Sequence, residues 1–140
     1  MSNSIVIAVD AMGGDNSPNK IINGISEYTK KKNDVFFRIF GKKNIIEDEI
    51  SKNRITKDFF EIIDCDDVVN NNDTPLSAAK KKNTSMWRAI NDVKEKKSNV
   101  IVSAGNTGAL FVISKLNINM IENINKPALA ALWPNKIDMN

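Results

Sequence analysis

Histidine is absent from this chain of 140 residues, and cysteine and tyrosine occur once each. General acid or base work at neutral pH therefore falls to Asp, Glu, Lys or Tyr, or to the substrate itself. The single cysteine, Cys65, permits neither an intrachain disulfide nor a cysteine-based zinc site, and it suits a reducing compartment. With no imidazole to activate it, the thiol reads as packing rather than as a nucleophile. Arginine occurs only at Arg38, Arg54 and Arg88, so lysine carries most of the positive charge. No apolar run approaches the roughly 18 residues of a membrane span. Met1-Ser-Asn-Ser also lacks the basic start of a secretory signal. The expectation is a cytoplasmic protein that does not cross a membrane.

Hydrophobic residues make up 41% of the chain and charged residues 26%, with a net charge of +3. That balance describes one folded domain with a real core. Ser4–Val9 is a continuous apolar run, as expected of a strand covered on both faces. The turn formers of 10–18 follow, with Ser17 placed to cap a helix and Pro18 as its first residue. Ile21, Ile22, Ile25, Tyr28 and Thr29 keep helical spacing. Val35–Phe40 reads as a second strand. A helix with Ile45, Ile46 and Ile50 inward comes next, and Phe59–Ile63 reads as a third strand.

Thr74-Pro75 repeats the cap-and-proline signature and starts a long helix, with Ala79, Met86, Ile90 and Val93 as its inward positions. Asn83, Thr84 and Ser85 are indifferent helix formers in the middle of that run, so the helix breaks there or faces something polar. Val100–Val102 is a short strand that enters a glycine turn and a helix through roughly Leu116. Pro127–Leu132 reads as a further buried strand ended by Trp133-Pro134, giving about five strands.

Strands alternating with helices imply a mostly parallel sheet with helices on its faces. In such sheets ligands bind beyond the carboxyl ends of the strands, which brings the loops 10–16 and 103–108 to one edge. Gly105 and Gly108 allow a tight turn or close backbone approach, and Asn106 and Thr107 can cap the following helix. A helix N-terminus preceded by such a turn favours an anion. Two other readings compete. A nicotinamide enzyme lacks support because neither loop spells Gly-x-Gly-x-x-Gly and the second strand ends in Phe40-Gly-Lys-Lys. A nucleic-acid module would use Lys30–Lys32, Lys80–Lys82 and Lys94–Lys97, but no binding motif with interleaved aromatics accompanies them.

Ile7-Ala-Val-Asp-Ala-Met-Gly-Gly-Asp15, Ser103-Ala-Gly-Asn-Thr-Gly-Ala109 and Lys126-Pro-Ala-Leu-Ala130 resemble, in order, signatures of the PlsX family of phosphate acyltransferases. Lys82-Asn-Thr-Ser-Met86 is similar to the basic, Ser-Met stretch that the family places between the first two. The resemblance runs to about Pro134. It implies a Rossmann-like α/β/α fold related to phosphotransacetylases, and the conversion of acyl-ACP and inorganic phosphate to acyl phosphate and ACP. A homodimer of the full-length protein is also implied, with peripheral membrane association, no cofactor and no metal. A membrane acyl-phosphate:glycerol-3-phosphate acyltransferase would act next in phospholipid synthesis.

On the matching motifs, the resemblance implies catalytic parts for Asp10, Asp15, Lys82 and Asn106. Substrate or phosphate contacts would come from Gly13, Gly14, Asn83, Ser85, Ala104, Gly105, Thr107 and Gly108. Asn16 stands where family members often carry His, and Lys126 where Arg is usual. The spacing from Pro75 to Ser85 is about one residue short. Family chains are more than twice this length, and their Asp-Gly-Ala-Asn motif is missing after Pro134. The expectation is the N-terminal half of an acyltransferase, inactive or non-catalytic alone.

Overall fold

In the computed structural model, which describes residues 5–132, the apolar run at the start becomes strand β1, Ile5–Asp10. Helix α1, Asn19–Thr29, leads to β2, Val35–Gly41. Helix α2, Lys43–Asn53, and a single 3-10 turn at Lys57–Phe59 lead to β3, Phe60–Asp64. Two helices follow, α3 at Pro75–Lys80 and α4 at Ser85–Lys94. Strand β4, Val100–Ser103, and helix α5, Thr107–Asn117, complete the regular structure of the described residues.

The four strands form one all-parallel sheet in the order β3-β2-β1-β4. The chain steps outward from β1 to β2 to β3, then returns to the other side of β1. Residue alternation divides the sheet between two cores. Val9, Phe37 and Ile39 pack with Ile22 and Ile25 of α1 and Ile46 and Ile50 of α2. Ala8, Phe40 and Cys65 pack against Ala89 of α4 on the opposite face. A third cluster joins Ala78, Met86, Ile90, Ala109 and Ile113, so α3, α4 and α5 share a core beyond the sheet. The result is the Rossmann-like α/β/α layering expected from the sequence.

Arg38 pins α4 to β2. Its guanidinium reaches the Asp92 carboxylate through two bonds of 2.9 and 3.1 Å and also meets Glu61. Ser98 donates to the same Asp92 carboxylate at 2.6 Å, so this buried charge is fully partnered.

Several local expectations change. The predicted long helix is two helices, because Lys81 leaves helical geometry and Thr84 starts a new cap, accepting from the Trp87 N–H at 3.2 Å. Ala78 takes the fully buried position in α3, with Ala79 and Val93 half-buried. Ser17 does not cap α1: its hydroxyl donates to the Gly13 carbonyl at 2.6 Å, and Pro18 precedes the helix without a side-chain cap. Ile45 faces solvent, and Phe59 belongs to the 3-10 turn. The predicted strand at 127–132 is absent, leaving four strands among the described residues. An apolar run seeks burial, but a strand also needs a ladder partner. Leu129 and Leu132 remain exposed, as do Val100 and Val102 on β4. Trp133-Pro134 lies outside the described residues.

Candidate functional site

The reversal of strand order places the carboxyl ends of β1 and β4 side by side, with Asp10 registered against Ser103. Such a switch point is where an open parallel sheet leaves a crevice. Asp10 is 1% exposed. Its carboxylate accepts from Ser85 Oγ at 2.6 Å, from Ser103 Oγ at 2.8 Å and from the Met12 N–H at 3.3 Å. Ser103 Oγ in turn accepts from the Gly105 N–H at 3.1 Å. One carboxylate thus ties the end of β1, the start of α4 and the turn after β4.

The glycines let the two loops touch. A Cβ at Gly13 would lie 2.6 Å from Asp10 Oδ2 and 2.8 Å from the Gly105 nitrogen. Gly14 has φ +81°, and a Cβ there would stand 2.3 Å from the Ala104 carbonyl oxygen. Ala104 therefore contributes its backbone to a loop–loop contact that excludes larger neighbours. Asn16 adopts a left-handed conformation with φ 57°, which asparagine tolerates well.

Asn106 caps α5, its Oδ1 accepting from the Ala109 N–H at 3.0 Å. Its amide donates to the carbonyls of Asn71 and Asp73 at 3.4 and 3.2 Å. Asn71 also donates to Asp15 at 3.4 Å, so Asp15, Asn71 and Asn106 stitch three loops together. Lys81 secures the middle loop by holding Asp73 at 2.8 Å. That ammonium keeps the Asp73 carboxyl below the usual carboxylate range, helped by the Asn70 N–H. The N–H groups of Thr107 and Gly108, in the first turn of α5, have no acceptor among the described residues. They are two of the orphan donors that a helix start leaves unpaired.

The described residues contain no group of three or more His, Cys, Asp or Glu side chains able to hold a metal ion. The family described as "Fatty acid synthesis protein" matches residues 5–139. The chain belongs to this family. This agrees with the resemblance to PlsX read from the motifs. A phosphate acyltransferase of Pelagibacter ubique is 60% identical over 141 residues, covering all of this chain and 42% of the relative. Another from Neorickettsia sennetsu is 44% identical over 94% of this chain and 39% of its own length. A third, from Caulobacter vibrioides, is 40% identical over 96% of this chain. The chain spans about two fifths of the length of the curated relatives it matches.

Within this family member the residues singled out by sequence fall into distinct places. Asp10, Gly13, Gly14, Ala104, Gly105, Asn106, Thr107 and Gly108 meet at the switch point, with Asp15 at its exposed rim. Ser85 belongs to the same network but is fully buried, and its link to the switch point runs through Asp10. Gly108 packs against Pro75, where a Cβ would come within 2.9 Å of the ring. Lys82 and Asn83 instead line a separate groove with Trp87 and Arg88. Sequence reasoning missed three participants. Ser103 opens the Ser103–Ala109 motif without any sign of its bond to Asp10. Lys81 was hidden in a lysine run. Lys20 Nζ stands 3.0 Å from where a Gly14 Cβ would be, bringing a cation to the glycine loop. Its position just after the Gly-Gly loop, in the first turn of α1, was the available signal.

Proposed function

We propose that this chain forms the phosphate-holding part of an acyltransferase that makes acyl phosphate from acyl-ACP and inorganic phosphate. The observation that carries the reading is the braced glycine turn at the switch point, with the Thr107 and Gly108 N–H groups unused at the start of α5. The printed names of the relatives supply the reaction class.

In this reading a phosphate oxygen attacks the thioester carbonyl carbon, an oxyanion forms, and the carbon–sulfur bond breaks. The thiolate leaves and takes a proton from solvent. A thiol of this kind, with pKa about 8.5, is a good leaving group, so no covalent enzyme intermediate is needed. The protein's task is to hold phosphate, orient the thioester and stabilise the oxyanion. A helix terminus supplies roughly 0.3–1 kcal/mol, up to about 2 when partly buried. Millimolar phosphate binding requires about 4 kcal/mol. The difference falls to charge-assisted hydrogen bonds of about 1.5–3 kcal/mol each, from the free amides and a cation such as Lys20. Asp10 and Asp15 would repel phosphate directly and act by bracing the loops. Lys82, standing off the turn, contributes at longer range. The full-length enzyme would be a homodimer at the cytoplasmic membrane face, handing acyl phosphate to a glycerol-3-phosphate acyltransferase.

The test is a chimera in which this chain replaces the corresponding residues of the Pelagibacter ubique relative, with acyl phosphate trapped by hydroxylamine. The chimera should form acyl phosphate only when phosphate is present, and Gly105→Val should abolish this with the circular dichroism unchanged. An active Gly105→Val chimera sinks the anion-site reading.

A further inference from the structure

The groove that receives Lys82 and Asn83 is not part of the switch-point site. It lies between α4 and the β2–β3 face of the sheet, has a volume of about 350 Å³, and is walled by Arg38, Trp87, Arg88 and Lys97 among others. Two of these cations are already neutralised: Arg38 by Asp92 and Glu61, and Lys97 by Glu95 at 2.7 Å. Arg88 differs. Its guanidinium donates to the Asp64 backbone carbonyl and approaches Cys65, with no carboxylate at ion-pair distance among the described residues. Lys82 and Lys94 likewise have no ion-pair partner among the described residues.

The charge is concentrated. Residues 80–97 carry seven Lys or Arg against two Asp or Glu, a net +5, while the rest of the chain carries a net −2. Trp87 and Asn91 line the groove and Lys94 follows them at one-turn spacing, so a stripe along α4 leads from the groove to that exposed cation. Asp64 ends β3 at the carbonyl that Arg88 meets, Asp66 and Asp67 come directly after it, and a continuous polyanion laid across this face would meet these carboxylates. A flat lipid surface would not enter the groove to reach Arg88. Separate carboxylates on a folded protein satisfy both constraints.

We propose that this groove and the α4 stripe dock an acidic protein surface, with a partner carboxylate entering beside Arg88 and Lys82. Charge on such a rim governs encounter rate and salt sensitivity more than packing does. The acyl carrier of the proposed reaction is the first partner to try, a choice that rests on that reading.

The experiment follows fluorescence anisotropy of labelled holo acyl carrier protein and, separately, of a labelled glutamate-rich peptide titrated with the full chain. Lys82→Glu with Lys94→Glu, both exposed side chains without an ion-pair partner among the described residues, tests the face without touching the glycine turn. Both probes should bind in low salt, and the double reversal should weaken each at least about tenfold. Thermal melts of the variant should match the parent, showing that the fold is intact. If the peptide binds with this sensitivity and the carrier does not, the docking face stands and the carrier falls as its partner. If neither binds, or the reversal changes nothing, the docking face is overturned. Tighter binding of a DNA duplex or of anionic vesicles than of the peptide overturns the assignment to an acidic protein.

Discussion

Replacing Asp10 by Asn preserves the shape of the side chain and removes the charge that braces the glycine turn. The amide oxygen can still face Ser85 Oγ and the Met12 N–H, now 2.6 and 3.3 Å from Asp10 Oδ1. The amide nitrogen then replaces the oxygen that Ser103 Oγ meets at 2.8 Å. Ser103 already accepts from the Gly105 N–H, so its hydroxyl proton loses its acceptor in a half-buried place. One charge-assisted bond of about 1.5–3 kcal/mol disappears, and the Ser85 bond falls to a neutral pair worth roughly 1 kcal/mol less. A total of about 2–4 kcal/mol is a large share of the stability of a domain this size. At around 4 °C per kcal/mol, the melting midpoint should fall by roughly 8–16 °C. Thermal unfolding followed by far-UV circular dichroism measures it directly. Ser103→Ala in the Asp10→Asn background should cost much less than in the parent, since the two act through one bond. A single variant melting within about 3 °C of the parent would falsify the bracing role of Asp10.

Gly14→Ala should destabilise the chain by about 1–3 kcal/mol, because a Cβ would press on the Ala104 carbonyl in a backbone already at φ +81°; an unchanged urea midpoint would argue against the loop contact. Asp73 has its carboxyl held low by Lys81, so its contribution is present above the ordinary carboxylate range and lost as pH falls through its lowered value. Protease nicking of the 68–73 loop should therefore rise in acid in the parent, whereas Lys81→Met should show the nicking at neutral pH as well. Burial pushes the Cys65 thiol up to about 11, against the opposing pull of Arg88. It should react with thiol reagents at neutral pH far more slowly than in the urea-unfolded chain; equal rates would show the thiol is open. Because its folded value is raised, its contribution is complete below about 8.5 and fades as pH climbs toward 11.

Much of the fold was legible because it depends on local pattern. The β1 and β2 runs announce buried strands, and Asn83-Thr84-Ser85 announced the break that became the Thr84 cap. The glycine motifs located the switch-point loops. Other features were hidden because they depend on distant parts of the chain meeting. Asp15 and Asn71 are 56 residues apart, and Asn71 and Asn106 are 35 apart, yet their bonds align three loops. Nothing in a lysine run tells Lys81, turned to Asp73, from Lys82, turned to the Trp87 groove. The segment 127–132 misled because hydrophobicity reports a demand for cover and not the neighbour that meets it.

The partners of the Asp10 carboxylate lie 75 and 93 residues further along the chain. A ribosome adding about 5–20 residues per second delivers those serines roughly 4 to 19 seconds after Asp10 itself. During that interval β1 can pair with β2, and β2 with β3, while the carboxylate stays in water. Among the four described strands, the β4 ladder and the glycine turn close last, after the most distant contact has met its loop-closure cost. The edge proposed to hold phosphate is thus assembled after the β1, β2 and β3 pairings are available, and a nascent chain shorter than 103 residues has no means of forming it.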